Sequence, residues 1–183
     1  MKLKNLAICI VPVGLLLAAC GSDEGSNFND ADVVFVQEMI QHHEQAIEMA
    51  DLALADSAGA SSEVINLAQR IKDAQNSELE MMNGWLEDWD KSMTMGSTSD
   101  HSMGDMNTEG MMSDDEMATM GGMMGSEFDM TWSGAMIEHH RGALGMANAI
   151  KQDGMNSDVM KLADQIISGQ TSEITEMEHM LGK

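Results

Sequence analysis

The chain is predicted to be an all-α protein, a four-helix bundle made of two duplicated helical hairpins joined by a long methionine-rich linker. Residues 35–50 realign onto residues 132–147, which sets Met39, His42, His43 and Met49 against Met136, His139, His140 and Met146. The likeness continues downstream: Val64, Leu67, Ala68, Ile71, Gln75, Ser77, Glu78 and Met82 match Val159, Leu162, Ala163, Ile166, Gln170, Ser172, Glu173 and Met177. The repeated unit is therefore a whole hairpin rather than a short motif. Within each unit apolar residues recur at alternating spacings of three and four, and no stretch shows the period of two that a half-buried strand needs.

At the N-terminus, Lys2 and Lys4 precede an apolar run over residues 6–17 that ends in Leu17, Ala18, Ala19 and Cys20. The run is too short to span a bilayer and has the form of a secretory signal peptide. Its ending resembles the lipobox of bacterial lipoproteins, which implies removal of residues 1–19 and a lipid on the sulfur of Cys20. Cys9 would leave with the leader, so no thiol would remain for a disulfide, a nucleophile or a metal. Residues 20–30, rich in Gly, Ser, Asp and Asn, read as a flexible tether between lipid and domain.

The first hairpin spans residues 31–91. Asn29 or Asp30 can cap a helix running to about residue 57, and Gly59, Ala60, Ser61 and Ser62 end it and cap a second helix reaching about residue 90. The linker, residues 92–128, holds Met93, Met95, Met103, Met106, Met111, Met112, Met117, Met120, Met123 and Met124 together with His101. Gly, Ser and acids fill the rest, so this segment cannot bury a core by itself. Ser113 to Glu116 forms a capping box for a short helix over Asp114 to about Met120. In the second hairpin, residues 129–183, the run Ser126, Glu127, Phe128, Asp129 resembles a capping box for the third helix, and Ser157 and Asp158 start the fourth. Gly134, Gly142 and Gly145 fall within the third helix, where each costs about 1 kcal/mol relative to alanine. They point to close packing or local looseness beside the second histidine pair.

The net charge is −22, and loss of Lys2 and Lys4 with the leader leaves 7 basic against 31 acidic residues, or −24. Such a surface repels nucleic acid and anionic headgroups and favours cations and solubility.

At 3.6 residues per turn, Val36, Ile40, His43, Ile47, Ala50 and Leu54 form one stripe, and Met39, His42, Ala46, Met49 and Ala53 form its neighbour. The second hairpin repeats both stripes. Counting outward from each turn, His43 faces Gln75, Glu78 and Met82, and His140 faces Gln170, Glu173 and Met177. A buried histidine paired with a facing glutamate is a common core arrangement, and methionine at helical spacing usually fills gaps. Two features weigh against packing alone. Adjacent buried imidazoles in both copies lose their hydrogen bonds to water, and oxidisable thioethers suit neither a core of this kind nor an ordinary linker.

The candidate ligands are therefore Met39, His42, His43, Met49 and Met82, with Met136, His139, His140, Met146 and Met177. Thioether and imidazole without thiolate favour Cu(I), or Ag(I) by the same softness. Zinc ranks behind, because it usually takes Cys or a tetrahedral set of histidines and carboxylates. Glu78 and Glu173 fit better as acceptors of the second N–H of a histidine. A di-iron or di-manganese cage needs Glu-x-x-His on two helices; the chain has only Glu176-Met177-Glu178-His179, with Met81 and Gly84 at the counterpart positions.

The paired Met-Ile-x-His-His-x-x-Ala-x-x-Met-Ala motifs, each followed by Gln-x-x-Glu-[Leu/Ile]-x-x-Met over residues 75–82 and 170–177, resemble a bacterial family catalogued as domain of unknown function 305. The resemblance covers residues 32–181. It implies a ferritin-like helical bundle outside the cytoplasm and, for a secreted copper-binding branch, copper or silver held by Met and His. The function expected is that of a lipoprotein that sequesters or relays Cu(I) or Ag(I) in copper resistance, on the outer face of a bacterial membrane or in the periplasm. Its partners would be the metal ion, the membrane through Cys20, and a copper exporter or metallochaperone, with the linker methionines a weaker, exchanging store. The rival readings are a ferritin-like di-metal oxidase and a helical interaction module without metal. Hairpin symmetry permits either two separate sites or one shared central site.

Overall fold

The computed structural model describes residues 27–93 and 109–183, and the leader, Cys20, His101, Met95, Met103 and Met106 lie outside the described residues. The elements in chain order are α1 (Asp30–Leu54), α2 (Ser62–Asp88), α3 (Asp114–Gly121), α4 (Gly125–Asp153) and α5 (Ser157–Met180), with one 3-10 turn at Asp56–Ala58. The four long helices form the expected all-α bundle, and α3 is the short linker helix. Among the described residues there is no strand, and no helix is long and apolar enough to cross a membrane.

Local chemistry accounts for most helix ends. Asn29 caps α1 by accepting from the Asp32 backbone N–H, while Asp32 accepts from the Asn29 N–H, each at 2.9 Å. α1 stops at Leu54, and Gly59 takes the left-handed conformation (φ 52°) that turns the chain toward α2. Ser61 caps α2 through Val64 N, and Ser113 with Glu116 closes the capping box of α3. One expectation is corrected. α4 opens at Gly125 rather than after a Ser126 cap, so the Ser126 box is not formed, and its N-cap, Met124, makes no side-chain cap. The Asp129 carboxylate instead accepts from Ser61 N at 3.1 Å, fastening α4 to the α1–α2 turn. α5 starts at Ser157, as expected, and is capped by Asn156.

α1 packs against α2, α4 against α5, and the two hairpins meet along α1 and α4. The apolar core falls into two clusters. One joins Val36, Met39 and Ile40 from the start of α1 with Ala143, Met146 and Ile150 from the end of α4. The other joins Ala46, Met49 and Ala50 from the end of α1 with Phe128, Trp132 and Met136 from the start of α4. α1 and α4 are thus antiparallel, and an approximate two-fold axis relates the hairpins. The histidine pairs occupy the level between the clusters.

Two buried polar contacts hold the halves in register. Trp132 Nε1 donates to Met49 O at 2.9 Å. Asp32, fully buried, reaches from α1 to the α4–α5 loop and accepts from Met155 N at 3.1 Å and Asn156 N at 3.0 Å. Replacing Asp32 with alanine leaves the backbone N–H groups of Asn29, Met155 and Asn156 without their acceptor. The expected cost is about 3 kcal/mol in urea unfolding followed by helical circular dichroism, against about 0.5 kcal/mol or less for the exposed Glu44→Ala.

Candidate metal centre

α1 and α4 bring His42 and His139 together at the pseudo-two-fold axis, with ring centroids 3.8 Å apart and planes at 42°. Their neighbours turn to the outer helices. His43 Nε2 lies 2.6 Å from Glu78 Oε2 on α2, and His140 Nε2 lies 2.8 Å from Glu173 Oε2 on α5. All four histidines are at most 1 % exposed. An ionised carboxylate only accepts, so these contacts place the proton of His43 and His140 on Nε2 and leave a lone pair on Nδ1. Neither Nδ1 has a hydrogen-bond partner, and on His42 and His139 neither ring nitrogen has one.

Burial drives the electrostatics of the central pair. It pushes the His42 pKa down to about 3, with the neighbouring His43 and His140 adding to the effect. The Glu109 backbone, near His42 without a hydrogen bond of ordinary geometry, acts the other way. His139 is likewise held well below its usual value, by burial first and then by His42, His140 and His43. The bundle thus presents two neutral imidazoles whose lone pairs need no deprotonation to bind a metal.

The six candidate methionines are all buried, Met146 the most exposed at 4 %. Their distribution follows the antiparallel crossing. Met39 and Met82 of the first hairpin share a cluster with Met146 of the second, and Met136 and Met177 share one with Met49. Thioethers from both hairpins therefore lie on either side of the histidine layer. Among the described residues, no three His, Cys, Asp or Glu side chains group so as to hold an ion by themselves.

Counting outward from the turns placed Gln75 and Gln170 opposite the histidines, whereas the contacts of residues 109–113 and of Gly142 escape a reading by periodicity. Gln75 and Gln170 are buried at the same repeat position, with Gln75 Nε2 and Oε1 and Gln170 Oε1 unpartnered. Residues 109–113 return from the linker and lie against α1 and α4, where the Gln45 side chain bonds the Met112 backbone. Of the three helical glycines only Gly142 serves close packing; a β-carbon on Gly134 or Gly145 would meet nothing within 4 Å. The available signal was the mismatch of Gly142 with Gln45 in the repeat.

A family model described as "Domain of unknown function (DUF305)" matches residues 32–181. Among solved structures, a DUF305 protein from Streptomyces coelicolor described as secreted is 32% identical, with a TM-score of 0.75 over 83% of this chain and 92% of that one. A DUF305 fragment from Deinococcus radiodurans is 30% identical, with a TM-score of 0.73 over 84% and 97%. CopM in its Cu(II)-bound form is 31% identical, with a TM-score of 0.65 over 81% and 94%. CopM has also been solved in Cu(I)-bound, silver-bound and apo forms. No curated protein matches.

The depressed histidine pKa values carry a stability consequence. Unfolded, His42 titrates at 6.5; folded, at about 3. Between those values the unfolded chain binds more protons, so the stability present above pH 6.5 is lost as pH falls through the window. The loss approaches about 1.4 kcal/mol per pH unit for each such histidine. Urea midpoints of the metal-free protein should fall from about pH 7.5 to about 5.5, before the carboxylates titrate, and the His42→Gln/His139→Gln variant should flatten the slope. A flat wild-type profile would rule this out.

Proposed function

The chain belongs to the DUF305 family, and we propose that it is an extracytoplasmic lipoprotein that binds Cu(I) and Ag(I), sequestering or relaying the metal and so protecting against excess copper. The observation that carries this is the His42–His139 contact: two buried, neutral imidazoles whose ring nitrogens have no hydrogen bond of ordinary geometry, tilted at 42° to each other between layers of buried thioether sulfur. Unpaired polar groups in a core cost several kcal/mol, an expense that makes sense where an ion takes up the lone pairs. Cu(I) and Ag(I) suit a neutral set of imidazole and thioether donors, and Zn(II) suits it less well.

In this reading the ligands are His42, His43, His139 and His140, supported by Met39, Met49, Met82, Met136, Met146 and Met177. Glu78 and Glu173 orient the outer imidazoles by taking their Nε2 protons, which raises the basicity of Nδ1. The meeting of the two histidine pairs at the axis favours one shared central site over two separate ones. The copper- and silver-bound forms of CopM support the metal class. Export and lipid attachment rest on the leader and Cys20, with the description of the Streptomyces relative as secreted in support. A copper exporter or metallochaperone is the partner that such a relay requires.

The test is a Cu(I) titration under reducing conditions against a competing chelator, using residues 20–183 with Cys20→Ser so that no thiol competes. Affinity tighter than micromolar, beyond about −8 kcal/mol, is expected. For a shared site, His42→Ala/His43→Ala and His139→Ala/His140→Ala each abolish tight binding, whereas separate sites would each lose half the stoichiometry. Deleting residues 94–108 should reduce capacity only. Binding that survives both histidine variants, or no binding tighter than micromolar, overturns the proposal. In the full-length chain, Cys20→Ser should move the protein from the membrane to the soluble fraction on cell fractionation.

A further inference from the structure

The strap of residues 109–113 meets the bundle at a position where the two repeats differ. Alignment of the hairpins sets Gln45 of α1 against Gly142 of α4. Gln45 grips the strap in both directions: its Nε2 donates to Met112 O at 2.7 Å, and its Oε1 accepts from Met112 N at 2.8 Å. Gly142 makes room for it, since a β-carbon there would lie 1.9 Å from Glu109 O and 3.2 Å from His42 Nε2. Gly110, at φ +83°, comes as close to α4; its β-carbon would lie 2.3 Å from Glu138 O and 3.1 Å from His139 Cα. One copy of the repeat holds the strap and the other admits it, directly beside the central histidines.

The thioethers share this asymmetry. The core cluster holding Met49, Met136 and Met177 also takes in Met120, and Met112, Met117 and Met123 pack against it half-buried. The cluster holding Met39, Met82 and Met146 takes in no linker methionine among the described residues. Soft donors therefore run from the surface to the histidine layer on one side of an otherwise two-fold bundle.

We propose that soft metal ions enter and leave the histidine layer on this side alone, with the strap as the door and Met112 and the α3-side thioethers Met117, Met120 and Met123 as carriers. The proposal rests on the reading of the layer as a Cu(I) or Ag(I) site. Neutral thioethers hand such an ion from one to the next without proton release, and opening the strap breaks its hydrogen bonds, two of them to Gln45, and its packing on α4 and the core, but no apolar helix contact of α1 with α4.

The experiment uses Ag(I) as the probe on residues 20–183 carrying Cys20→Ser, reading loading and transfer to a chelator by stopped flow. Amide hydrogen exchange of residues 109–113 in the metal-free protein is measured beside it. Gly142→Ala, which favours helix but collides with the Glu109 carbonyl, and Gln45→Ala, which removes the grip, should each speed strap exchange and both Ag(I) rates, Gln45→Ala by about tenfold or more, as expected for two lost hydrogen bonds. Changing Met112, Met117, Met120 and Met123 together to leucine keeps volume and removes sulfur, and should slow both rates by a similar factor. Met81→Leu and Met155→Leu, exposed methionines elsewhere, should leave the rates unchanged. If the strap is released while the Ag(I) rates stay at the wild-type value, the door is refuted although the site stands. If the wild type takes up no Ag(I), the metal site itself falls and the door with it. Should Gly142→Ala lose helicity, the Gln45→Ala variant decides alone.

Discussion

The structure depends on the burial of four imidazoles where α1 crosses α4. A polar layer in the middle of a helical core is costly, and it fixes how the rest must be arranged. Each outer histidine needs an acceptor, which sets α2 and α5 in register so that Glu78 and Glu173 reach His43 and His140. The inner pair, His42 and His139, meets ring against ring where the hairpins cross. Apolar packing is pushed to both sides, giving two clusters rather than one continuous core. The surface ion pairs, such as Arg70 with Glu176, whose arginine is 58 % exposed, contribute little by comparison.

Much of this was legible from repetition and helical counting. The stripes containing His42 and His43 are buried apart from Ile47 and Leu54, which are half-buried, and counting outward from the turns paired His43 with Glu78 and His140 with Glu173. These are short-range consequences of 3.6 residues per turn and of antiparallel helices joined by a tight turn. What escaped depends on how one hairpin meets the other. The methionines were grouped by hairpin, but the antiparallel crossing exchanges Met49 and Met146 between clusters. The start of α4 was misplaced because Asp129, a plausible capping residue by local chemistry, is used across the hairpins on Ser61. Linker residues that look too polar for a core acquire one by leaning on the bundle, as Met120 does at 1 % exposure.

Duplication explains the symmetric part of the site and also exposes its asymmetry. Two copies of one hairpin supply equivalent histidines and glutamates, so differences between the copies at the same level are informative. The exchange of Gln45 for Gly142 is such a difference, and both residues touch the same strap. The helix accepts an unfavourable residue at Gly142 because a backbone carbonyl occupies the space where a side chain would stand. The strap carries Met112 beside the centre and leads into α3. A two-fold scaffold so becomes a centre with a front and a back.

Selectivity in such a centre follows from the contrast between its exterior and interior. A net charge of −22 draws cations of every kind to the surface without discriminating among them. Inside, the two glutamates at the histidine layer are already engaged by imidazole N–H groups, and each is less than a fifth exposed. What remains for an ion is neutral nitrogen and sulfur. A hard cation that gave up its water for these donors would lose more hydration than they return, whereas a soft monovalent ion gives up little and gains polarizable ligands. On the proposed reading, the acidic surface would gather cations and the uncharged core would sort them by softness, with the carboxylates kept from the ion by the histidines they orient.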